Sequence, residues 1–291
     1  MKDSLSQRVF NVFNILFLSF VTIVMLYPVL HILFASVSDA TYVMSHQGLI
    51  FYPVGFNIEA YKTVFENQLI GSGYRNTLLV VIPGTILNVS ITSLGAYALS
   101  KKDVYWNGLI KRLVVFTMFF SGGLIPLYLT VKNLGLDDSL LALILPTAIN
   151  TTNLIIMRTS FEALPPSLEE AAKIDGANDF TVLLKIVMPL SMPIVSVMLL
   201  YYGVEHWNSW FNAMIYLRRR ELYPLQLILR EILIQNDTNS MMGDAGIADK
   251  EQIGEAIKYA TIMVATLPIL CVYPFLQKYF VSGVMVGAVK G

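Results

Sequence analysis

Charge is scarce in this chain: Asp, Glu, Lys and Arg together make up 14% of it, against about a quarter in an ordinary soluble domain. The 20 basic and 20 acidic residues cancel. No net positive field is left to draw nucleic acid, and no nucleic-acid partner is expected. Cysteine occurs once, at Cys271 in an apolar run, which excludes an intrachain disulfide and leaves the redox compartment unmarked. The histidines, His31, His46 and His206, lack the spacing of metal ligands, so no metal site is expected. There is no G-x-x-x-x-G-K-[ST] to cradle a nucleotide phosphate, no H-E-x-x-H and no G-x-S-x-G. No catalytic residue and no bound cofactor are therefore assigned to the chain.

Apolar residues fill the space that charge leaves, at 55% of the chain. Val9 to Val37 contains no Lys, Arg, Asp or Glu. That exceeds the roughly 20 residues needed to cross a bilayer. It also exceeds the apolar core of about 7–15 residues in a signal peptide, so it reads as an uncleaved first span. Five more spans are expected at about Asn76–Leu99, Leu113–Val131, Leu140–Met157, Met192–Leu217 and Tyr259–Phe280. Gly122, Gly123 and Pro126 predict that the third is broken or kinked. The fold class is all-α, a polytopic membrane protein with six transmembrane helices. Residues 1–70 would hold the N-terminal tail, first helix and first external loop, 71–282 the transmembrane core, and 283–291 a cytoplasmic tail. No internal repeat is visible. Lys and Arg in the short loops place both termini in the cytoplasm. Arg218, Arg219 and Arg220 oppose that assignment, since it puts segment 218–258 outside.

The longest polar interruption among the spans is LPPSLEEAAKIDGANDFTVLLKIVMPLSMP, Leu164 to Pro193. Ser167 and Glu170 have capping-box spacing, so a helix is predicted from Leu168. Gly176 is placed to stop it in a left-handed conformation. Asn178 can cap a second helix running through Leu183, Leu184, Ile186 and Val187 to Pro189. A short exposed helix is marginal alone in water, which argues for a partner that holds it. Glu170-Ala171-Ala172, Asp175-Gly176-Ala177, Phe180, Ile186 and Pro189 together resemble the EAA loop of ABC importer membrane subunits. In that family the loop is cytoplasmic, and its short coupling helix sits in a groove on an ATP-binding subunit. The resemblance implies that 164–189 is the coupling loop. It gives Glu169, Glu170, Ala171, Ala172, Asp175, Gly176 and Ala177 the contact with the ATPase. The plainer alternative is an interhelical loop in which Glu170 only caps a helix.

The fifth span is the most polar. Glu205, Asn208 and Asn212 fall at i, i+3 and i+7, on one face of a continuous helix. A carboxylate in hydrocarbon is costly, so that face is expected to look into protein or water. Aromatic rings beside amides and a carboxylate suit a sugar. Tyr201, Glu205, Trp207, Asn208, Trp210 and Asn212 are the candidate substrate path, whereas His206 reads as structural. Trp and Tyr also mark bilayer interfaces and Asn joins helices, so both roles stay open.

His206-Trp207-Asn208-Ser209-Trp210-Phe211, and Ile125-Pro126-Leu127-Tyr128 followed by Leu134-Gly135-Leu136, are similar to carbohydrate-importer permeases of the maltose-transporter type. Tyr223 to Glu231 looks like the branch for complex or acidic oligosaccharides such as pectin or alginate fragments. The family's proline after the W-N-x-[FW] segment is replaced by Ala213 and Met214. This resemblance implies an ABC type I importer permease fold in a bacterial cell (inner) membrane. The chain would be a non-enzymatic subunit moving an oligosaccharide, acidic ones included. It implies two ATP-binding subunits carrying ATP and Mg, a second permease (a heterodimer favoured), an extracytoplasmic solute-binding protein, and membrane lipid around the spans. The family's tail approaches the ATPase, where Gly283, Gly287 and Gly291 would allow close packing. Arg218 to Arg220 could meet acidic sugar or the binding protein, or else lipid headgroups or nearby acids. Leu225, Ile228, Leu229, Ile232 and Leu233 form a stripe expected of a helix lying on the membrane surface. The competing readings are an ion-coupled secondary transporter and a membrane-bound enzyme. The first would want internal repeats and more buried ionisable groups than Glu205 and His206. The second lacks a recognisable catalytic group.

Overall fold

The computed structural model describes residues 4–46, 48–234 and 247–288, without the side chains of 247–253, 276 and 278–288. Gly291, and residues 235–246 of segment 218–258, lie outside the described residues. Among the described residues the secondary structure is helical throughout.

The long α1, Leu5–Ser36, begins at a reciprocal cap: the Ser4 and Gln7 side chains each accept the other's backbone N–H. Asp39 caps α2, Ala40–Ser45, through Thr41 and Tyr42. Then come α3, Glu59–Glu66, and α4, Gln68–Ser100. Two shorter helices follow, α5 (Asn107–Phe119) and α6 (Leu124–Asn133), then α7, Leu141–Ile144, and α8, Thr151–Glu162. Residues 164–193 contribute α9, Pro166–Ile174, α10, Asp179–Val182, and α11, Met188–Leu190, with a π-helical turn at Leu183–Val187. The remainder is α12, Met192–Trp207, α13, Trp210–Tyr216, α14, Leu225–Ile234, and α15, Ile247–Ala288.

Among the described residues three helical stretches are long and apolar enough to cross a membrane: α1, α4 and Gly254–Phe275 of α15. Three bent pairs bring the total to six when each is taken as one span. The α5–α6 pair bends by 111°, around a stretch where Gly123 takes a φ of +87°. That is the break its glycines predicted. The fourth span, expected unbroken, bends by 52° between Leu141–Thr147 and Thr151–Glu162. Pro146 sits in the 3-10 turn at that point, and Asn150 caps α8 through Thr152 and Asn153. The fifth span, also expected unbroken, stops at Trp207 and restarts at Trp210. Its start meets the Asp179–Leu190 stretch at 88°.

The chain divides into two compact units. One joins the N-terminal stretch through Ile70 to Leu229–Leu267. There Ala35, Val43 and Ile50 form a small core with Phe34, Tyr42 and Tyr259 against it. The segment after α1 is folded back by bonds from Asp39 N to Val54 O (2.9 Å) and from Asn57 N to Val37 O (2.9 Å). The other unit is Gly71–Ile228 with the stretch from Pro268 onward. One of its cores gathers Val89, Ala96, Leu154, Met157, Val182, Leu183, Val187 and Met198; a second gathers Val80, Leu143, Ala213, Tyr216 and Leu227. Residues of α4 contribute to both.

The stripe on α14 does not lie on a membrane surface. Leu225, Ile228, Leu229 and Ile232 are buried in protein, and Leu233 is half-buried. The start of that helix is fixed by α4: Thr77 Oγ1 accepts from Leu225 N (2.9 Å) and Asn76 Nδ2 donates to the Glu221 carbonyl (2.6 Å). Gly73 leaves the room, since a Cβ there would come within 3.2 Å of the Leu225 backbone. The apolar period was read correctly. At Leu225 and Ile228 it faces α4 rather than lipid.

Candidate functional site

Residues 164–193 interrupt the spans, exposed through most of α9 and buried in the core at Val182, Leu183 and Val187. The expected capping box is absent: Pro165 is the N-cap, no side chain caps, and α9 starts at Pro166 with Ser167 already helical. Two prolines explain this, because Pro166 at the first helical position has its φ preset and loses no needed donor. Gly176 ends the helix at φ +82°. Ala177 N reaches back to Ala172 O (2.9 Å) and Gly176 N to Lys173 O (3.0 Å), the paired closure that a left-handed glycine permits. Asn178 Oδ1 then accepts from Thr181 N at 2.8 Å and opens α10.

No residue of α9 is buried. Glu170, Ala171, Asp175 and Gly176 are exposed, and Ile174 and Phe180 are 86% and 63% exposed. The other predicted contact residues turn inward. Ala172 and Ala177 lean on the core that holds Val182, Leu183 and Val187, and Glu169 forms an ion pair with Lys101 at the end of α4. The Lys101 ammonium lies 4.1 Å from the centre of the Tyr97 ring. The Tyr97 hydroxyl donates to Asp179 Oδ1 (3.5 Å), which also pairs with Lys173 (3.1 Å). Burial first, then the like charge of Lys173, lower the pKa of Lys101. The predicted set thus splits into an outward half and an anchored half.

The fifth-span candidates are also divided. Tyr201 and Glu205 are exposed on α12 at i and i+4, and Asn208 is exposed at its C-cap. Asn212 belongs to α13 beyond the break, so the continuous face expected to join it to Glu205 and Asn208 does not exist. Trp207 is buried at 7% exposure, with its ring 6.3 Å from that of Tyr74, whereas Trp210 is 38% exposed with its edge toward Phe211.

Behind these exposed residues lies a polar network that no motif announced. The Tyr202 hydroxyl pairs with Thr92 Oγ1 (2.7 Å) and accepts from Asn150 N (3.2 Å). One turn along, His206 Nε2 lies 3.1 Å from Asn88 Oδ1, and Asn88 Nδ2 donates to the Thr147 carbonyl at 2.6 Å. Thr147 and Asn150 flank the break in the fourth span. A broken helix in hydrocarbon leaves backbone groups that water cannot reach. Here side chains of α4 and α12 occupy them. The available signal was Asn88 and Thr92, two polar residues one turn apart in an apolar span.

Arg218 and Arg219 are committed to the turn between α6 and α7. Arg219 Nε donates to Asp138 Oδ2 (2.7 Å), Asp138 Oδ1 accepts from the Arg218 and Arg219 backbone N–H groups (3.0 and 3.1 Å), and Arg218 lies 3.5 Å from Asp137. These bonds, the Arg218 amide first, hold the Asp138 carboxyl down at about 2. These two arginines pair with nearby acids while their side chains stay 65% and 64% exposed.

No family model matches the chain. It is 41% identical to the polygalacturonan/rhamnogalacturonan transport system permease protein YtcP of Bacillus subtilis, over 99% of this chain and all of that one. Its structure matches a chain of a bacterial ABC transporter involved in import of the acidic polysaccharide alginate. The TM-score is 0.85 with 32% identity, over 96% of this chain and 99% of the other. A bacterial alginate ABC transporter in complex with an alginate pentasaccharide-bound periplasmic protein matches in fold at a TM-score of 0.57. There the identity is 14%, over 94% and 96% of the two chains.

Proposed function

Because this chain belongs to the sugar permeases of ABC transporters, we propose that it carries an acidic oligosaccharide across a bacterial cell membrane, driven through α9 by an ATP-binding subunit. The observation that carries this is α9 itself, nine residues with none buried, displayed outward and tethered at its rear. A marginal helix kept in that state is a surface for a partner. Two ATP-binding subunits would supply ATP and Mg on the cytoplasmic side, with both termini of this chain on that side. A second permease would complete the pathway, and a solute-binding protein would deliver the sugar from outside.

One relative is a polygalacturonan/rhamnogalacturonan permease and the matched importer takes up the acidic polysaccharide alginate, which supports an anionic substrate. In the pathway, Tyr201 and Asn208 would offer a ring and an amide. Glu205, exposed between them, would oppose a sugar carboxylate and so tune the preference between neutral and acidic sugars. The test is assembly and uptake. The chain is co-expressed with an ATP-binding subunit, a second permease and a solute-binding protein, and uptake of labelled galacturonate oligomers into proteoliposomes is followed. Replacing Glu170 and Gly176 should abolish uptake. Full-rate uptake with 166–177 scrambled would end this reading.

A further inference from the structure

The end of α4 and the segment 164–193 are joined in a closed ring of side chains. Tyr97 and Lys101 stand one turn apart on the last turn of α4 and the residue after it. Lys101 pairs with Glu169 of α9, Lys173 of α9 pairs with Asp179 of α10, and Asp179 receives the Tyr97 hydroxyl, which returns to the start. The ring of Tyr97 supports the Lys101 ammonium from below. The backbone of Lys101 is itself clamped, since its carbonyl accepts from Asn107 Nδ2, a buried side chain at the first residue of α5.

The covering of these groups matters. The Lys101–Glu169 pair is 19% and 20% exposed, whereas Lys173–Asp179 is 48% and 67% exposed. Exposed pairs hold little, but a pair shielded on both sides and seated on an aromatic face holds its geometry better. Since α9 has no buried residue, packing alone does not set its angle. The small side chains of Ala172 and Ala177 give it a pivot on the core rather than a socket.

We propose that Lys101 and Tyr97 are positioning residues that fix the angle of α9 and make α4 move with it. This rests on the reading of α9 as the segment that meets the ATPase. The motion of α9 then reaches the spans by two routes. One is covalent, through α10, α11 and α12. The other crosses from α9 to α4 through Glu169 and Lys101. The second route acts on the helix that carries Asn88 and Thr92, and so on the groups that hold the broken fourth span.

The experiment uses the assembled importer in nanodiscs, on a Cys271→Ser background, with nitroxide labels at Ile174→Cys in α9 and Val104→Cys beyond α4. Two quantities are read: the width of the label distance distribution, and ATP hydrolysis per complex. Lys101→Ala should broaden the distribution and lower hydrolysis by about threefold to tenfold, the size expected when one shielded ion pair and its ring contact are lost. Lys101→Glu should behave likewise, and adding Glu169→Lys should restore both quantities, which a general loss of folding would not do. Tyr97→Leu should broaden the distribution with the ion pair intact. Unchanged width and hydrolysis in Lys101→Ala, or failure of the charge exchange to restore either, overturns the proposal. If the wild-type chain retains no ATPase, the coupling reading falls. The label width then still decides whether Lys101 orients α9.

Discussion

Tyr202→Phe removes one buried oxygen from the Gly71–Ile228 unit and leaves the ring volume in place. Tyr202 is fully buried, and its hydroxyl serves two groups: Thr92 Oγ1 at 2.7 Å and the Asn150 backbone N–H at 3.2 Å. A net intramolecular hydrogen bond is worth about 1 kcal/mol, and a buried donor left without a partner costs about 1–3 kcal/mol. Polar pairs between membrane helices average about 0.6 kcal/mol with a ceiling near 1.7, because the unfolded state in lipid also finds partners. The donor at stake here is backbone at a helix break, which cannot turn away as a side chain can. The expected loss is therefore about 1–3 kcal/mol, above the average for side-chain pairs. Reversible unfolding in mixed detergent micelles measures it. Thr92→Val should cost less, since it leaves the Asn150 N–H bonded to Tyr202, and the double variant should cost less than the sum of the two singles. A loss below about 0.5 kcal/mol for Tyr202→Phe, with additive singles, would show that water serves Asn150 and that the network does not hold the break.

Gly84→Ala should destabilise the same unit by about 1–3 kcal/mol in that assay, because a Cβ there would come within 2.6 Å of His206 Nε2 and push the ring off Asn88. Gly176→Val should reduce coupled ATP hydrolysis and cost about 1–2 kcal/mol locally, since Gly176 holds φ +82°, where a β-branched residue is strained. It should leave the global unfolding midpoint almost unmoved. The Asp138 carboxyl is held at about 2 against an ordinary 3.8. A depressed acid contributes fully above its ordinary value and loses that contribution as the pH falls through the depressed one. Hydrogen exchange at the Arg218 and Arg219 amides should accordingly be slower than in Asp138→Asn at neutral pH. That difference should shrink as the pH drops from near 3.8 toward about 2. Ile228→Ala should cost about 2–4 kcal/mol because the residue is 1% exposed in protein; a membrane-surface helix would lose far less.

What was legible in the sequence is what the sequence decides locally. Gly176 and Asn178 act on their own neighbours within a turn, so a glycine stop and an asparagine cap could be read directly, and the structure has both. The glycines at 122 and 123 announced their break for the same reason. The Ser167–Glu170 box failed through an equally local competitor: Pro165 and Pro166 set the helix start earlier and left no N-cap for Ser167 to be. The break at Asn208–Ser209 was missed because no proline or glycine marks it. The weaker cue was two adjacent side chains that compete with the backbone for hydrogen bonds, and the false continuity carried Asn212 onto a face it does not share. What could not be read was pairing across distance. Glu169 lies 68 residues from Lys101, and His206 lies 118 from Asn88. Nothing within a helical turn of either names its partner. Yet those pairings follow one rule that is visible beforehand: every break in a membrane helix creates unserved backbone groups, and some polar residue in an apolar span must serve them. Asn88, Thr92, Tyr202 and His206 are such residues, spaced one turn apart on two spans. Within the spans, Asn88, Thr92, Tyr202 and His206 are therefore spent on a break, whereas Tyr201, Glu205 and Asn208 are turned outward.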